Sequence, residues 1–471
     1  MTMQDNKARY IAQPVIFPVG KKSKVSVIPL KGHLYFEDGK EYMVFVVPMC
    51  YNRKLPKAQP DLIVKAEGGM LTFEYEFEHE CEYEIRFKDD PEKAYSHTCV
   101  YAVEEDLYGL RPLKGDLHVH TPRSDGDDYS GELASNFRHE GFDFIFVTDH
   151  NRYFSSEEVQ DEFKGVKIDL NIMNGEEVHT PGSTLHIVHL CKGKGIDEYY
   201  CHHTEEYEKE VDEIEKEFAG IEDSRKLAMA KWATTRIHED GGLAILPHPF
   251  WVQITETSTY NIVLPLLDKL FHSGWFDAYE INGGMTDNGN DLSISYFNQL
   301  RSEGFKMPLV SSSDAHKTFN DSKIRFGNIY TIVFAKDNTR DSIFEAIKNG
   351  MTSPVLHKVQ DVESNHEYRV QGDFRLAMYT RFLIENYFER TKTLCRAEGI
   401  LMREYTLGVE GAKETLESMS GRSYKLYRHF FGEHGESYYD IAEDKKRYDK
   451  YTQVWKDYGI YTRGAAIKQP K

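Results

Sequence analysis

The sequence predicts a mixed α/β protein in three parts, and three patterns carry that expectation. Residues alternate with period two near the N-terminus, strands alternate with helices through the middle, and an aromatic-rich helical pattern occupies the C-terminal part. The expected boundaries are 1–113 for a β-sandwich module, 114–355 for the strand–helix region and 356–471 for a helical region. A length of 471 residues suits about three domains.

In the N-terminal part, Val25–Leu30, Tyr42–Met49, Leu62–Lys65 and His97–Val103 are short β-branched or aromatic runs separated by turn residues. The strongest signal is Leu71–Lys88. There Leu71, Phe73, Tyr75, Phe77, Cys81, Tyr83, Ile85 and Phe87 alternate with Glu74, Glu76, Glu78, Glu80, Glu82 and Glu84. One face is expected to be buried and the other to be an acidic, solvated ladder. Strands usually run about 5–6 residues, so a bend or tight connection is expected near His79–Glu80.

From Lys114 the pattern changes. Leu117–His120 predicts a short strand, Gly131–His139 a helix stopped at Gly141, and Phe144–Thr148 a strand ending in Asp149–His150. Further strands are expected at Ile172–Met173, Leu185–Leu190, Ala244–Leu246, Ala278–Ile281, Leu309–Ser311 and Tyr330–Phe334. Asp341–Lys348 predicts a last helix, stopped by Gly350. Such alternation implies a mainly parallel sheet or barrel. Between Ile196 and Asp240 lies a charged helical excursion (Glu205–Phe218 and Ser224–Arg236), expected to be a crossover and a candidate lid. Farther on, Phe374, Leu376, Met378, Phe382, Leu383, Tyr387 and Phe388 follow helical steps, and Lys413–Phe431 and Ile441–Tyr458 also predict helices. The tail Gly464–Lys471 is expected to fray.

Composition narrows the function classes. Lys and Arg total 58 against 77 Asp and Glu, a net charge of −19, which disfavours duplex nucleic acid and anionic membrane as partners. No apolar run is long enough to span a bilayer, and Met1–Phe17 has no apolar stretch like a signal-peptide core, so a cytoplasmic location is expected. The six Cys are scattered without a C-x-x-C pair, which argues against a disulfide framework or a thiolate zinc site. Hydrophobic residues at 40% suffice for a sizeable core and rule out a disordered chain.

The 20 His are not spread evenly, and their positions suggest the chemistry. In Lys114–Gly126, KGDLHVHTPRSDG, His118 and His120 are two apart on a predicted strand and face the same way, so they can chelate one cation. Alone, H-x-H is a weak signal. Its company at other predicted strand ends is informative: Asp125 in the following turn, His150 after Phe144–Thr148, Glu177 after Ile172, His186 at the start of a strand, His248 in LPHPF, and Asp314 and His316 in SSSDAH. In α/β barrels chemistry gathers at such ends. Nine nitrogen and oxygen donors exceed the needs of one metal and suit two or three divalent ions, with zinc, manganese or iron matching imidazole and carboxylate.

The segments DLHVHT-PRSDG, VTDHN, NGEEVH, LHIVHL, LPHPF, YEING and SSDAH resemble, in order, the motifs of the PHP (polymerase and histidinol phosphatase) superfamily. The resemblance implies a distorted (β/α)7 barrel with two or three metals. It implicates His118, His120, Asp125, His150, Glu177, His186, His248, Asp314 and His316 as ligands, with Glu177 bridging two metals. Asp116 and Asp149 would orient ligands from behind. Glu176 is adjacent to Glu177 and points the other way on an extended chain, as His189 does from His186; the family spacing favours Glu177 and His186, and His179 is a further competitor.

The implied activity is metal-dependent hydrolysis of a small phosphorylated metabolite or nucleotide. A carboxyl or carbamate ester hydrolase with the same cluster is one alternative, and a metal-containing binding module without turnover is another. Arg123, Arg152 and Asp149 are the candidate catalytic residues beside the metal ligands, with the two arginines, and Lys317, as cationic forks for phosphate oxygens. Phosphatase relatives often carry a basic residue soon after the HP pair, where this chain has Phe250, Trp251 and Val252; that departure points to an apolar or stacking substrate group. The expected partner is a small anionic or ester molecule, and a homo-oligomer is left open.

Overall fold

The computed structural model describes residues 9–30, 34–50, 59–252, 262–318, 326–359, 366–432 and 441–457; the expected fraying at Gly464–Lys471 lies outside them. The chain divides into two compact units, one of residues 1–109 with 424–471 and one of residues 110–423. Residues 356–423, placed by the sequence in a separate helical region, are thus part of the second unit.

The first unit contains β1 (Tyr10–Gln13), β2 (Ile16–Pro18), β3 (Lys22–Pro29), β4 (Glu41–Pro48), β5 (Leu62–Lys65), β6 (Leu71–Glu76), β7 (Cys81–Lys88) and β8 (Ser96–Val103). They form a three-stranded sheet, β1-β3-β6, and a five-stranded sheet, β2-β8-β7-β4-β5. The alternating Leu71–Lys88 segment breaks at residues 77–80, where the Tyr83 hydroxyl accepts from the His79 amide at 2.9 Å and donates to its carbonyl at 3.1 Å. Its two halves join different sheets rather than pairing as a hairpin. Val25, Val27 and Phe73 from one sheet and Val44, Val46, Ile85 and Val100 from the other enter one apolar core. The Glu ladder is not uniformly solvated: Glu84 is buried, and the Arg86 Nε donates to it at 2.6 Å.

The second unit is built on β9 (Arg111–Val119), β10 (Phe144–Val147), β11 (Asn171–Val178), β12 (Ile187–Leu190), β13 (Leu243–Leu246), β14 (Ala278–Asn282), β15 (Leu309–Ser311), β16 (Ile329–Ala335), β17 (Thr352–Val359) and β18 (His366–Val370). Their order is β15-β14-β13-β12-β11-β10-β9-β16-β17-β18. The pairs β9–β10, β10–β11, β13–β14 and β14–β15 are parallel. The other five are antiparallel, so the sheet is more mixed than the alternation implied. The short 179–186 connection explains one departure: it is too brief for a parallel crossover and returns β12 as a hairpin partner of β11. The sheet curls until the segment after β15 reaches β9, through a Val119–Ala315 bridge and a His120 amide that donates to the Ala315 carbonyl at 2.9 Å.

Helices of this unit are α1 (Ser130–His139), α2 (Phe154–Glu162), α3 (Asp197–His202), α4 (Thr204–Glu215), α5 (Ser224–Asp240), α6 (Leu264–His272), α7 (Asp287–Ser302), α8 (Arg340–Lys348), α9 (Phe374–Leu383), α10 (Glu389–Thr406) and α11 (Ala412–Met419). The chain continues into α12 (Arg422–Phe431) and α13 (Ile441–Asp457). Helix α1 carries Glu132 in its first turn and Arg138 and His139 in its last, matching the helix dipole, and stops before Gly141 at φ 90°. One apolar cluster fills the inner side of the curled sheet (Leu117, Phe144, Phe146, Val188, Ile245, Val310), and α8 adds Ile343, Phe344 and Ile347. A second lies outside it, where the charged excursion packs through Tyr200, Tyr207, Val211, Leu227 and Trp232 on Ile187, Ala244 and Leu246. The excursion is therefore a docked crossover layer.

Candidate metal centre

One edge of the curled sheet collects the sequence-predicted donors. His118 is in β9 and His120 just beyond it; His150 follows β10, Glu177 is near the end of β11, His248 follows β13, and Asp314 and His316 follow β15. His186 precedes β12, and because β12 runs antiparallel its start pairs with the end of β11 (Ile187 with Val178). His248 and Asp314 take left-handed backbone conformations, φ 26° and 52°, which non-glycine residues adopt at a cost of order 1–3 kcal/mol. Space is tight as well: a Cβ on Gly284 would lie 1.9 Å from Asp314 Oδ2.

All nine residues come together. Glu177 Oε2 lies 3.1 Å from His118 Nε2, 3.3 Å from His120 Nε2 and 3.2 Å from His150 Nδ1. Its Oε1 lies 2.7 Å from His186 Nδ1 and 3.0 Å from His248 Nε2. Asp314 Oδ1 is 3.1 Å from His120 Nε2 and 3.4 Å from His118 Nε2. Asp125 Oδ2 is 3.2 Å from His316 Nε2 and 3.7 Å from His150 Nε2. Among these nine, three groups of donors emerge: His118, His120, Glu177 and Asp314; Glu177, His186 and His248; and His120, Asp125, His150 and His316; a further group joins His150 and His186 with the competitor His179. Donor atoms within each group all lie within 4.8 Å of one another.

The donors fit bound cations. The buried atoms His118 Nε2, His120 Nε2, His150 Nδ1 and His186 Nδ1 have no hydrogen-bond partner although carboxylate oxygens lie close by. Lone pairs that converge without hydrogen-bond alignment are the arrangement a divalent ion satisfies. With neutral imidazoles the set carries three carboxylate charges, two of them, Glu177 and Asp314, largely out of water, a further demand for cations.

Electrostatics agree. Burial opposes charge on His118 and His120, yet Glu177 and Asp314 outweigh it, holding His118 well above its ordinary value and His120 at about 9. Burial likewise opposes the charge on Glu177 and Asp314, and the surrounding imidazoles hold both carboxyls well below the usual range. His150, where burial prevails, is pushed down to about 4.

Supporting groups sit behind the donors. Asp149 accepts from the Thr121 amide (2.9 Å) and hydroxyl (2.9 Å) and from the Ser124 amide (3.1 Å) and hydroxyl (2.7 Å), fastening the loop between His120 and Asp125. Asp116 accepts from the His118 and Ser313 amides at 3.3 and 3.0 Å. Glu280, in the YEING segment, was not singled out by the sequence. It is buried, accepts from the His248 amide at 3.1 Å, and places Oε2 3.6 Å from His118 Nδ1. Its signal was an acid amid the apolar residues of the AYEIN strand.

The cationic candidates lie elsewhere. Arg123 is held by both oxygens of Glu158, at 2.6 and 2.7 Å, on the surface, where an exposed carboxylate within reach captures it. Arg152 is exposed and donates to the Asn151 carbonyl at 2.9 Å, and Lys317 pairs with Asp127. Of the competing donors, Glu176 and His189 face away from the cluster. His179 stands beside it, with its ring 4.6 Å from that of His186 and Nε2 donating to the Ser183 carbonyl at 2.8 Å. A cavity of about 290 Å³ opens onto the donors. Trp251 forms one wall, with its ring centroid 6.0 Å from those of both His186 and His248. Among the described residues, no Lys or Arg lines it.

No family model matches the chain, and no curated protein does. Among solved structures it is similar to a two-domain protein from Bacteroides vulgatus said to contain a PHP-like metal-dependent phosphoesterase, at 17% identity over 56% of this chain and 77% of that one, TM-score 0.36. It is also similar to a protein from Bifidobacterium adolescentis assigned as a metal-dependent phosphoesterase (13% identity, 51% and 97% covered, TM-score 0.33). A third is an amidohydrolase from Chromobacterium violaceum (18% identity, 43% and 87% covered, TM-score 0.29). No helix among the described residues is long and apolar enough to cross a membrane.

Proposed function

We propose that this chain is a metal-dependent hydrolase of the PHP type, acting on a small phosphoester through two or three divalent ions. The observation that carries the reading is the convergence of six imidazoles and three carboxylates, seven of these nine groups lining one cavity with His118 and His120 buried beside them, and with Glu177 common to two donor groups. His118, His120, Glu177 and Asp314 would hold one ion, Glu177, His186 and His248 a second, and Asp125, His150 and His316 a third. The chemistry such ions supply is Lewis acidity, which stabilises charge on a reacting oxygen and makes water nucleophilic near neutral pH. The protein's own part is to hold the donors still. Asp149 fastens the loop that bears Asp125, Glu280 braces the His248 backbone, and the curled sheet keeps bulk water to one open side. For Arg123 to serve a phosphate it must leave Glu158, an exchange of one anionic partner for another.

Trp251 favours a second reading, a carboxyl or carbamate ester hydrolase. It offers the cavity a flat apolar wall, and no cationic side chain among the described residues offers a charged one. Chromogenic phosphate mono- and diesters tested against aryl carboxyl esters, on protein loaded with manganese or zinc, separate the two. Phosphoester turnover supports the first reading, aryl-ester turnover alone supports the second, and inactivity toward both in fully loaded protein overturns the hydrolase.

A further inference from the structure

On the face of β11 opposite Glu177 lies another group of donors. Glu176 pairs in register with His189 across the β11–β12 ladder, and both face Cys191. Glu176 Oε1 lies 2.9 Å from His189 Nδ1, and Cys191 Sγ lies 3.4 Å from the same nitrogen. All three residues are buried. We propose that Glu176, His189 and Cys191 form a second, mononuclear metal site that takes zinc or a similar borderline-soft cation.

Three features point there. The donor set is one cysteine sulfur, which burial and Glu176 hold as a thiol until an ion displaces its proton, one imidazole and one carboxylate, a combination suited to zinc; bonds of about 2.0–2.3 Å to one tetrahedral ion would set ligand atoms roughly 3–4 Å apart, as these are. Behind the ring, His189 Nε2 is buried without a hydrogen-bond partner and faces Asp240 Oδ2 at 3.8 Å. Asp240 is itself fixed by the amides of Lys192, Gly193 and Lys194, so the carboxylate stands where it would orient a metal-bound imidazole. Finally, Glu176 accepts from the amides of Ile196 and Asp197, the hydrogen-bonded state usual for a ligating carboxylate. An ion here would be structural. It would tie β11, β12 and the 192–197 loop together directly behind Glu177.

Cobalt(II) is the probe. The full-length protein is stripped with a chelator and reloaded, and near-ultraviolet absorption is followed. A thiolate-to-cobalt charge-transfer band is expected in the unmutated protein, lost in Cys191→Ser, retained in Cys201→Ser at an exposed thiol, with one ion fewer per chain in the first variant. Zinc-edge X-ray absorption of the unmutated protein is expected to show a sulfur neighbour at about 2.3 Å, so a poorly folding variant leaves the question decidable. A fully loaded protein with only nitrogen and oxygen neighbours and no thiolate band overturns the site and leaves an imidazole held between Glu176 and Asp240. The first cluster contains no sulfur, so failure of the hydrolase reading would not produce that result.

Discussion

Glu176 and Glu177 are consecutive in β11, and their carboxylates serve opposite faces of it: Glu177 lies within 3.3 Å of five imidazoles, whereas Glu176 meets His189 at 2.9 Å. The period of two along a strand produces this division. It makes Glu177 the residue on which the cluster turns. Glu177→Gln keeps shape and one oxygen acceptor but removes the charge shared by two donor groups. Activity should fall by more than about 100-fold, as loss of a ligand's support alone can cost 10–100-fold. Metal content by mass spectrometry should fall with it, while circular dichroism stays near that of the parent. Full metal content in the variant would refute the shared role.

Losses should be graded around the cluster. Asp125 is half exposed and belongs to one donor group, whereas Asp314 is buried with His118 and His120. Asp125→Ala should release one ion and leave the others, and Asp314→Asn should release at least the ion held with His118. Metal counts on the two variants, titrated with manganese, check this; loss of every ion from Asp125→Ala would mean that the three groups do not bind separately.

Trp251 should govern substrate choice rather than chemistry. In Trp251→Ala the KM for an aryl ester should rise by roughly 10-fold, since stacking and apolar contact are worth about 1–2 kcal/mol, while the KM for a methyl or ethyl counterpart and the metal content stay unchanged. Trp251→Phe should recover part of the loss. A rise shared equally by both substrates would remove the wall from the specificity argument.

Lys114 carries a pH signature outside the cluster. Its amine is buried over the rings of Phe142 and Tyr330, 4.2 and 4.3 Å from their centroids, and donates to the Glu140 carbonyl at 2.9 Å. Burial pushes it down to about 8 from 10.5, with Lys392 adding repulsion. Below pH 8 the lysine is charged both folded and unfolded, and the folded state bears the full cost of burying the charge. Between 8 and 10.5 the folded protein sheds the proton first, so stability should rise with pH through that window, by up to about 3 kcal/mol. Lys114→Met should be more stable at pH 7 by about 1–3 kcal/mol and lack the alkaline rise. Denaturant midpoints across pH 7–11 test the sign, and a fall for the unmutated protein contrasted with the variant would contradict it.

The legible parts of this protein were those where chain order and periodicity determine geometry. The two-residue step of His118 and His120 put both imidazoles on one side at the end of β9, and the motif order put the remaining donors at one sheet edge. Less legible was whatever depends on contacts distant in sequence. Arg123 lies inside the first motif but finds Glu158, a partner on α2. Glu280 gains its role only because β13 lies beside β14, which brings the His248 amide to its carboxylate. The direction of β12 was readable from its short connection to β11, yet alternation alone suggested a parallel strand.

The same distinction applies to α10: the apolar helical steps read from the sequence, Phe374 to Phe388, stop just before it, and nothing in its own residues named its partner. That partner is α1. A Cβ on Gly399 would lie 2.5 Å from the His139 amide nitrogen and 2.6 Å from the Ser135 carbonyl oxygen, so the helices approach backbone to backbone. Beside the crossing, the buried Arg138 reaches Glu398 at 2.7 Å, the Ser423 hydroxyl at 2.8 Å and the Phe142 carbonyl at 2.8 Å. Gly399→Ala cannot be absorbed by a side-chain shift, because the obstructing atoms are main chain. It should destabilise by roughly 1–3 kcal/mol, and Glu398→Ala, which leaves Arg138 buried without its closest anion, by about 3–5 kcal/mol. Both should leave metal content unchanged in the folded fraction, because α10 contributes no donor to the cluster. Denaturant midpoints and metal counts on the same samples test the two statements together. A Gly399→Ala protein as stable as its parent would show that the close approach of α1 and α10 is dispensable.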